Sequence, residues 1–225
     1  MKFLAIIPAR GGSKRLPNKN ILNLSGKPMI AYSIEAGLNS KYINTVVVTS
    51  DSDEILQISK DYGANTIKRP DYLSTDESSS FDAIQHTIKA FEQYQYVILL
   101  QPTSPLRTSK DIDNAIELLE EKNADAIISV CEVDHPVQWA TTLNDNLNLD
   151  SFIKNIDTKR SQDQEKHYRL NGSIYISKTN ELLKEKTFFL KENSYAYIMD
   201  KQNSIDIDDK VDFIIAKAIL ENNLI

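Results

Sequence analysis

The segment KFLAIIPARGGSKRLPNKN, residues 2–20, joins an unbroken apolar run to a glycine-rich basic loop. Past its lysine, Lys2–Ile7 shows no polar alternation, so it is predicted as a strand buried on both faces. Pro8 and the pair Gly11-Gly12 turn the chain out of that strand. Outward from here the same punctuation repeats. Pro28–Asn39 carries apolar residues at helical spacing, with Pro28 suited to a first turn. Thr45–Thr49 is the next strand, followed by a helix that Asp51 or Ser52 can cap and that runs through Tyr62 to stop at Gly63. Ser78–Tyr94 is helical, Tyr96–Leu100 a strand, Ser109–Lys122 a helix with Asp111 in its first turn, and Ala126–Cys131 a strand. Apolar strands alternating with helices define an α/β fold built on a doubly wound, mostly parallel sheet.

Between Glu132 and Leu170 the pattern lapses into polar, Asn/Asp/Gln/Lys-rich sequence, with short β-like pieces at Gln138–Leu143 and Leu147–Ile153. A weakly periodic stretch of that length inside a domain is a functional or an interaction element. Regular spacing then resumes with a strand at Ser173–Ser177, a short helix at Lys178–Lys184, a strand at Tyr195–Met199 and a closing helix at Asp209–Glu221. The chain is therefore expected to form one α/β domain from residues 1–131 and 173–225, with 132–172 inserted as an arm.

Composition narrows the classes. The chain has 225 residues, 41% hydrophobic and 26% charged, the profile of a globular protein rather than a disordered or fibrous one. The net charge is −6, yet six bases and no acid fall within Met1–Ile34, leaving 20 bases against 32 acids in the remainder. An electropositive segment on an acidic body indicates an anion site, not a nucleic-acid surface, which would make the whole domain basic. The apolar run before Pro8 is too short for a signal-peptide core and far below the roughly 20 residues of a membrane span. A single cysteine, Cys131, allows neither an internal disulfide nor a multi-cysteine zinc site, and a reducing cytoplasm is the expected location.

In the loop Arg10-Gly11-Gly12-Ser13-Lys14-Arg15-Leu16-Pro17-Asn18-Lys19-Asn20, four bases within ten residues suit a polyphosphate, and the glycines let backbone approach a ligand. It is neither the P-loop pattern nor the dinucleotide-binding Gly-x-Gly-x-x-Gly. Gln101-Pro102-Thr103-Ser104-Pro105 follows an apolar strand, at the carboxyl edge of the sheet where α/β proteins bind ligands. In Ser204-Ile205-Asp206-Ile207-Asp208, an extended course would turn both carboxylates to one side and both isoleucines to the core. Asp208 or Asp209 also suits the cap of the last helix, and Asp51 and Asp53 read as helix-start residues. His86, His135 and His167 have no metal-ligand spacing.

Taken in order, the basic loop with Lys19-Asn20, Arg69-Pro70 with Ser74–Ser80, Leu100–Arg107, Arg169–Tyr175 and Ser204–Asp208 resemble the motifs of bacterial CMP-sialic acid synthetases, the acylneuraminate cytidylyltransferases. The resemblance covers essentially the whole chain. It implies a nucleotide-diphospho-sugar transferase-like fold, transfer of CMP from CTP to the anomeric hydroxyl of a nine-carbon 2-keto sugar acid, and release of pyrophosphate. N-acetylneuraminate is the first choice of acceptor, with legionaminate, pseudaminate or Kdo as alternatives. A nucleotide-sugar glycosyltransferase, which also carries Asp-x-Asp, and a non-catalytic nucleotide-binding regulator are the other readings.

By the same resemblance Arg10, Lys14 and Lys19 hold the CTP phosphates in the loop of Gly11, Gly12 and Ser13, with Asn20 near the ribose. Arg69, Ser78 and Ser80 fall at cytosine and ribose, although both serines equally suit a helix cap. Gln101, Arg169, Asn171 and the arm's Arg160 fall near the sugar. Phe188-Phe189 matches a pair that packs on its N-acyl group and equally suits the core, and Arg107 reads as cover for the adjacent helix. Asp206 and Asp208, facing a triphosphate, form a Mg²⁺ site with Mn²⁺ as a substitute, and Asp208 joins Arg10, Lys14 and Lys19 as the expected catalytic set. No residue stands out as a general base. Expected partners are CTP, the sugar acid and a second copy of the chain through the arm, with no nucleic acid and no membrane.

Overall fold

The computed structural model describes residues 1–13, 15–74, 79–155 and 165–224. Lys14, Ser78 and Arg160 lie outside the described residues. In chain order the strands are β1 (Phe3–Pro8), β2 (Asn23–Leu24), β3 (Lys27–Pro28), β4 (Ile43–Ser50), β5 (Asn65–Lys68), β6 (Tyr96–Leu100), β7 (Ala126–Glu132), β8 (Tyr168–Lys178) and β9 (Ser194–Ile198). The helices are α1 (Met29–Leu38), α2 (Asp53–Asp61), α3 (Ser80–Ala90), α4 (Ser109–Glu121), α5 (Asp150–Asn155), α6 (Thr179–Glu185) and α7 (Lys210–Glu221).

Seven strands form one sheet in the order β5-β4-β1-β6-β8-β7-β9, and β2 and β3 form a separate small hairpin. Within the sheet β5, β4, β1 and β6 run parallel, as do β7 and β9, and only β8 is antiparallel to its neighbours. The chain goes from β1 outward to β4 and β5, then returns to lay β6 on the other side of β1. The carboxyl ends of β1 and β6 therefore flank a topological switch point, the place where such sheets open a crevice.

Burial explains the apolar runs. Phe3, Leu4, Ala5, Ile6 and Ile7 are all at most 2% exposed. Phe3, Ala5 and Ile7 face one core with α1 and α4, whereas Leu4 and Ile6 face a second core with Ile84 and Ile88 of α3 and Leu182 of α6. With both faces covered, every side chain of β1 must be apolar, each large one contributing roughly 1.5–3 kcal/mol by leaving water. Helix starts follow local chemistry: Ser52 caps α2, and Ser79, Thr108 and Asp209 form capping boxes with Asp82, Asp111 and Asp212. The cap of α3 is thus Ser79, which leaves Ser80 free of that task.

Three features depart from the sequence expectation. β5 was not predicted, because Asn65–Lys68 is a short, half-polar edge strand. Gln138–Leu143 holds no strand, only the end of a 3-10 turn at Val137–Trp139, and Leu147–Ile153 runs into helix α5 instead of a strand. β8 begins at Tyr168 rather than Ser173, because it is interrupted by a bulge. Ile128 pairs with Tyr175 and Val130 with Leu170, so two steps along β7 match five along β8. At this irregularity Gly172 has φ +74°, a left-handed conformation that glycine adopts without strain.

Candidate active site

At the switch point lies a cleft of about 630 Å³. The loop after β1 contributes Arg10, Ser13, Arg15, Lys19 and Asn20 to its lining. Arg69 and Ser74, which follow β5, Ser79 and Ser80 at the start of α3, Gln101 and Thr103 after β6, and Asp208 line the rest of its polar wall. Among the described lining residues four are basic and one is acidic. That balance suits a polyphosphate.

The loop is tied down at both ends. Asn20, 7% exposed, donates from Nδ2 to the Arg10 carbonyl at 3.0 Å, closing the loop on itself. The Gly11 N–H donates to Asp51 Oδ1 at 3.0 Å. Lys19 Nζ donates to the Ile207 carbonyl at 2.7 Å and reaches Asp208 Oδ1 at 3.3 Å, while Arg15 meets Asp208 Oδ2 at 3.3 Å. The first basic loop and the late acidic segment thus meet across the cleft mouth.

The acidic segment alternates as an extended course should. Ile207 is fully buried and its N–H donates to the Thr103 carbonyl at 2.7 Å, and Ile205 packs on the same apolar cluster. Asp208 stays exposed. Asp206 is half-buried, and burial lifts its carboxyl above the usual carboxylate range, with the neighbouring Asp208 charge adding to the shift and a Thr103 hydrogen bond opposing it. Asp206 Oδ1 is buried without a hydrogen-bond partner. A buried, unpaired carboxylate oxygen next to an exposed carboxylate is a donor set that suits a hard cation.

Gln101 is held from behind. Arg107, only 2% exposed, donates to the Gln101 carbonyl at 3.4 Å, the Ser173 carbonyl at 2.9 Å and Ser33 Oγ at 2.6 Å. Burial pulls its pKa down to about 9. It is a buried strut joining β6, β8 and α1, not a surface cover for α4, which corrects the sequence expectation.

The residues matched to the sugar are divided. Gln101 lines the cleft, whereas Arg169, Asn171, Phe188 and Phe189 are not among its described lining. Asn171 is 1% exposed and engaged inside the fold, accepting from Ser129 Oγ at 2.6 Å and donating to Ser204 Oγ at 2.9 Å. Phe188 is buried against Tyr175, and Phe189 is 53% exposed with its ring edge-on to the same tyrosine at 6.0 Å. Arg169 is exposed and turns back to the Leu170 carbonyl at 3.4 Å. Sequence reading counted Arg15 among the loop bases without giving it a role, and took Asp51 only as a helix-start residue, whereas Asp51, though not part of the cleft lining, bonds Gly11 and Arg69 behind it. The available signal for Asp51 was its position directly after a parallel strand, at the carboxyl edge.

These features define a member of the cytidylyltransferase family, whose family model matches residues 4–223. More particularly, the chain is 42% identical over 219 residues to the N-acylneuraminate cytidylyltransferase of Escherichia coli, a match covering 97% of this chain and 52% of that protein. The chain thus spans about half the length of the N-acylneuraminate relatives that it matches. It is also 36% identical over 228 residues to a pseudaminic acid cytidylyltransferase of Campylobacter jejuni, covering 99% of this chain and 98% of the relative. In fold it resembles a CMP:2-keto-3-deoxy-manno-octonic acid synthetase solved with CTP, with a TM-score of 0.75, 17% identity and coverage of 99% and 100% of the two chains.

Proposed function

We propose that the protein transfers CMP from CTP to the anomeric hydroxyl of a nine-carbon 2-keto sugar acid, with N-acetylneuraminate as the preferred acceptor. The observation that carries this reading is the convergence of Arg10, Arg15, Lys19 and Arg69 with Asp208 in one cleft at the switch point of a cytidylyltransferase-family sheet. The hydroxyl oxygen attacks the α-phosphorus, the bond to the bridging oxygen breaks, and pyrophosphate leaves. Arg10, Lys14 and Lys19 neutralise the phosphates, and the loop amides around Gly11 and Gly12 approach them closely. Arg69 and Ser80 hold the base and ribose, and Gln101, carried on the Arg107 strut, orients the acceptor.

Asp206 and Asp208 would hold Mg²⁺, which when bound supplies charge neutralisation and lowers the pKa of an oxygen it contacts. The expected arm is shorter than 132–172, because Glu132 belongs to β7 and Tyr168–Gly172 to β8; between those strands Val137, Trp139, Leu143, Leu147 and Ile153 are each at least 41% exposed, and this apolar surface supports a homodimer. Among the described residues no helix is long and apolar enough to cross a membrane.

Similarity to relatives named for neuraminate and for pseudaminate makes the acceptor the open choice, with legionaminate and Kdo further candidates. Pyrophosphate release from each of the four nucleoside triphosphates against a panel of keto sugar acids tests the reading. CTP-specific release with one preferred acid is the expected result, and saturable CTP binding with no release for any acid would reject it.

A further inference from the structure

Asp51 has no role in the reaction just described, yet it joins two of its binding elements. It follows β4 at the carboxyl edge of the sheet. Its Oδ1 accepts from the Gly11 N–H at 3.0 Å and from Arg69 NH2 at 3.5 Å. The Arg69 side chain is 7% exposed against 25% for Asp51, so the ion pair is largely out of water, where a charge-assisted bond is stronger than at the surface.

Arg69 depends on this contact. Its own N–H is anchored to the Ser50 carbonyl at 2.8 Å, but its Nε is buried without a partner. Among the described residues Asp51 is the only side chain shown bonded to the guanidinium. Desolvation and the nearby Arg10 both work against the Arg69 charge, and Asp51 works for it. The platform under Asp51 is itself fixed: the Ser52 N–H donates to Ser50 Oγ at 3.0 Å, and Lys68 Nζ donates to the Asp51 carbonyl at 2.7 Å. The β1 loop lies directly on this platform, since a Cβ on Gly11 would stand 3.2 Å from Ser52 Cβ and 3.7 Å from Asp51 Oδ2.

We infer that Asp51 is a positioning residue that sets nucleotide affinity by holding Arg69 and the Gly11 backbone in one arrangement. The inference rests on the CTP reading of the cleft. Asp51→Asn keeps an acceptor for Gly11 but removes the charge facing Arg69. It is expected to weaken CTP binding about tenfold, the factor equivalent to about 1.4 kcal/mol. The KM for the sugar acid and kcat are expected to stay within about twofold, because Gln101 and Asp208 do not touch Asp51.

The experiment is a double-mutant cycle of Asp51→Asn and Arg69→Gln, read by calorimetric CTP affinity and by the separate KM values, with thermal melts on each variant. If Asp51 acts through Arg69, Asp51→Asn changes CTP affinity less than about twofold once Arg69 is gone. An equal loss in both backgrounds, or equal increases in both KM values, overturns the inference. Should Asp51→Asn not fold, Asp51→Glu, which keeps the charge and displaces it by one methylene, is carried through the same cycle with the same expected non-additivity. Wild-type protein that binds no CTP would reject the CTP reading itself, whereas wild-type binding with an unchanged Asp51→Asn affinity rejects only the role given to Asp51.

Discussion

Replacing Gly172 by alanine separates backbone strain from crowding at the acidic pair. Gly172 sits at φ +74° in the β8 bulge, and a Cβ there would stand 3.5 Å from Asp206 Oδ2 and 3.8 Å from Ser104 Oγ. Those are ordinary contact distances, so no steric clash is added. What remains is the left-handed penalty of a residue with a Cβ, about 1–2 kcal/mol. For a chain of 225 residues, with a sensitivity of about 2–4 °C per kcal/mol, the melting temperature should fall by about 2–8 °C. The methyl group also fills space next to the half-buried carboxylate, so half-saturation by Mg²⁺ should move to higher concentration. Gly63→Ala is the control: Gly63 has φ +89° after α2, where its Cβ would meet Leu38 at 3.4 Å, far from the cleft. Both variants are measured by thermal melting with and without Mg²⁺ and by pyrophosphate release across a Mg²⁺ titration. The expected pattern is a similar loss of stability in both and a shifted Mg²⁺ dependence only in Gly172→Ala. A Gly172→Ala protein that melts with the wild type would refute the backbone reasoning, and a Mg²⁺ dependence unchanged in both would refute the placement of the cation at Asp206.

Asp206→Asn should abolish turnover yet raise the melting temperature at neutral pH. Burial raises the folded-state pKa of Asp206 above its unfolded value, so its contribution to stability is fully present below the unfolded pKa and is lost as pH rises through the folded one. The amide removes that penalty, and a lower melting temperature at pH 7 would contradict the sign. Because proton and cation compete for Asp206, half-saturation by Mg²⁺ should rise on the acid side at a higher pH than an ordinary carboxylate would give, which Mg²⁺ titrations at a series of pH values check. Arg107→Met should raise the KM for the sugar acid more than that for CTP, since it frees the Gln101 carbonyl; equal changes in both would reject the strut. Asp209→Ala should cost about 1 kcal/mol in chemical denaturation through loss of the α7 cap, with both KM values unchanged.

Much of the fold was legible in the sequence because β1, β4, β6 and β7 are buried on both faces and read as unbroken apolar runs. The loop from Arg10 to Asn20 and the acidic segment were legible as motifs, and Arg10, Ser13, Arg15, Lys19 and Asn20 of the one meet Asp208 of the other in one cleft, with Asp206 outside its described lining. β5 and the start of β8 were not legible. β5 has one neighbouring strand and a half-polar sequence, and the start of β8 pairs with β7 beyond a bulge that breaks the expected alternation. Asn171 shows what spacing leaves open: an asparagine at a bulge can satisfy buried backbone and hydroxyl groups as well as it can meet a ligand, and the motif does not separate the two. Arg107 and Asp51 escaped because their partners are backbone carbonyls and an arginine that only the folded sheet brings near.

The bond from Lys19 to the Ile207 carbonyl joins residues 188 apart in the sequence. During synthesis the phosphate-facing loop therefore leaves the ribosome long before the segment that braces it, and a nascent chain lacking Ile207 has the basic loop without its latch. The anion site of the proposed nucleotide cleft is therefore completed late, when the two ends of the chain have come together.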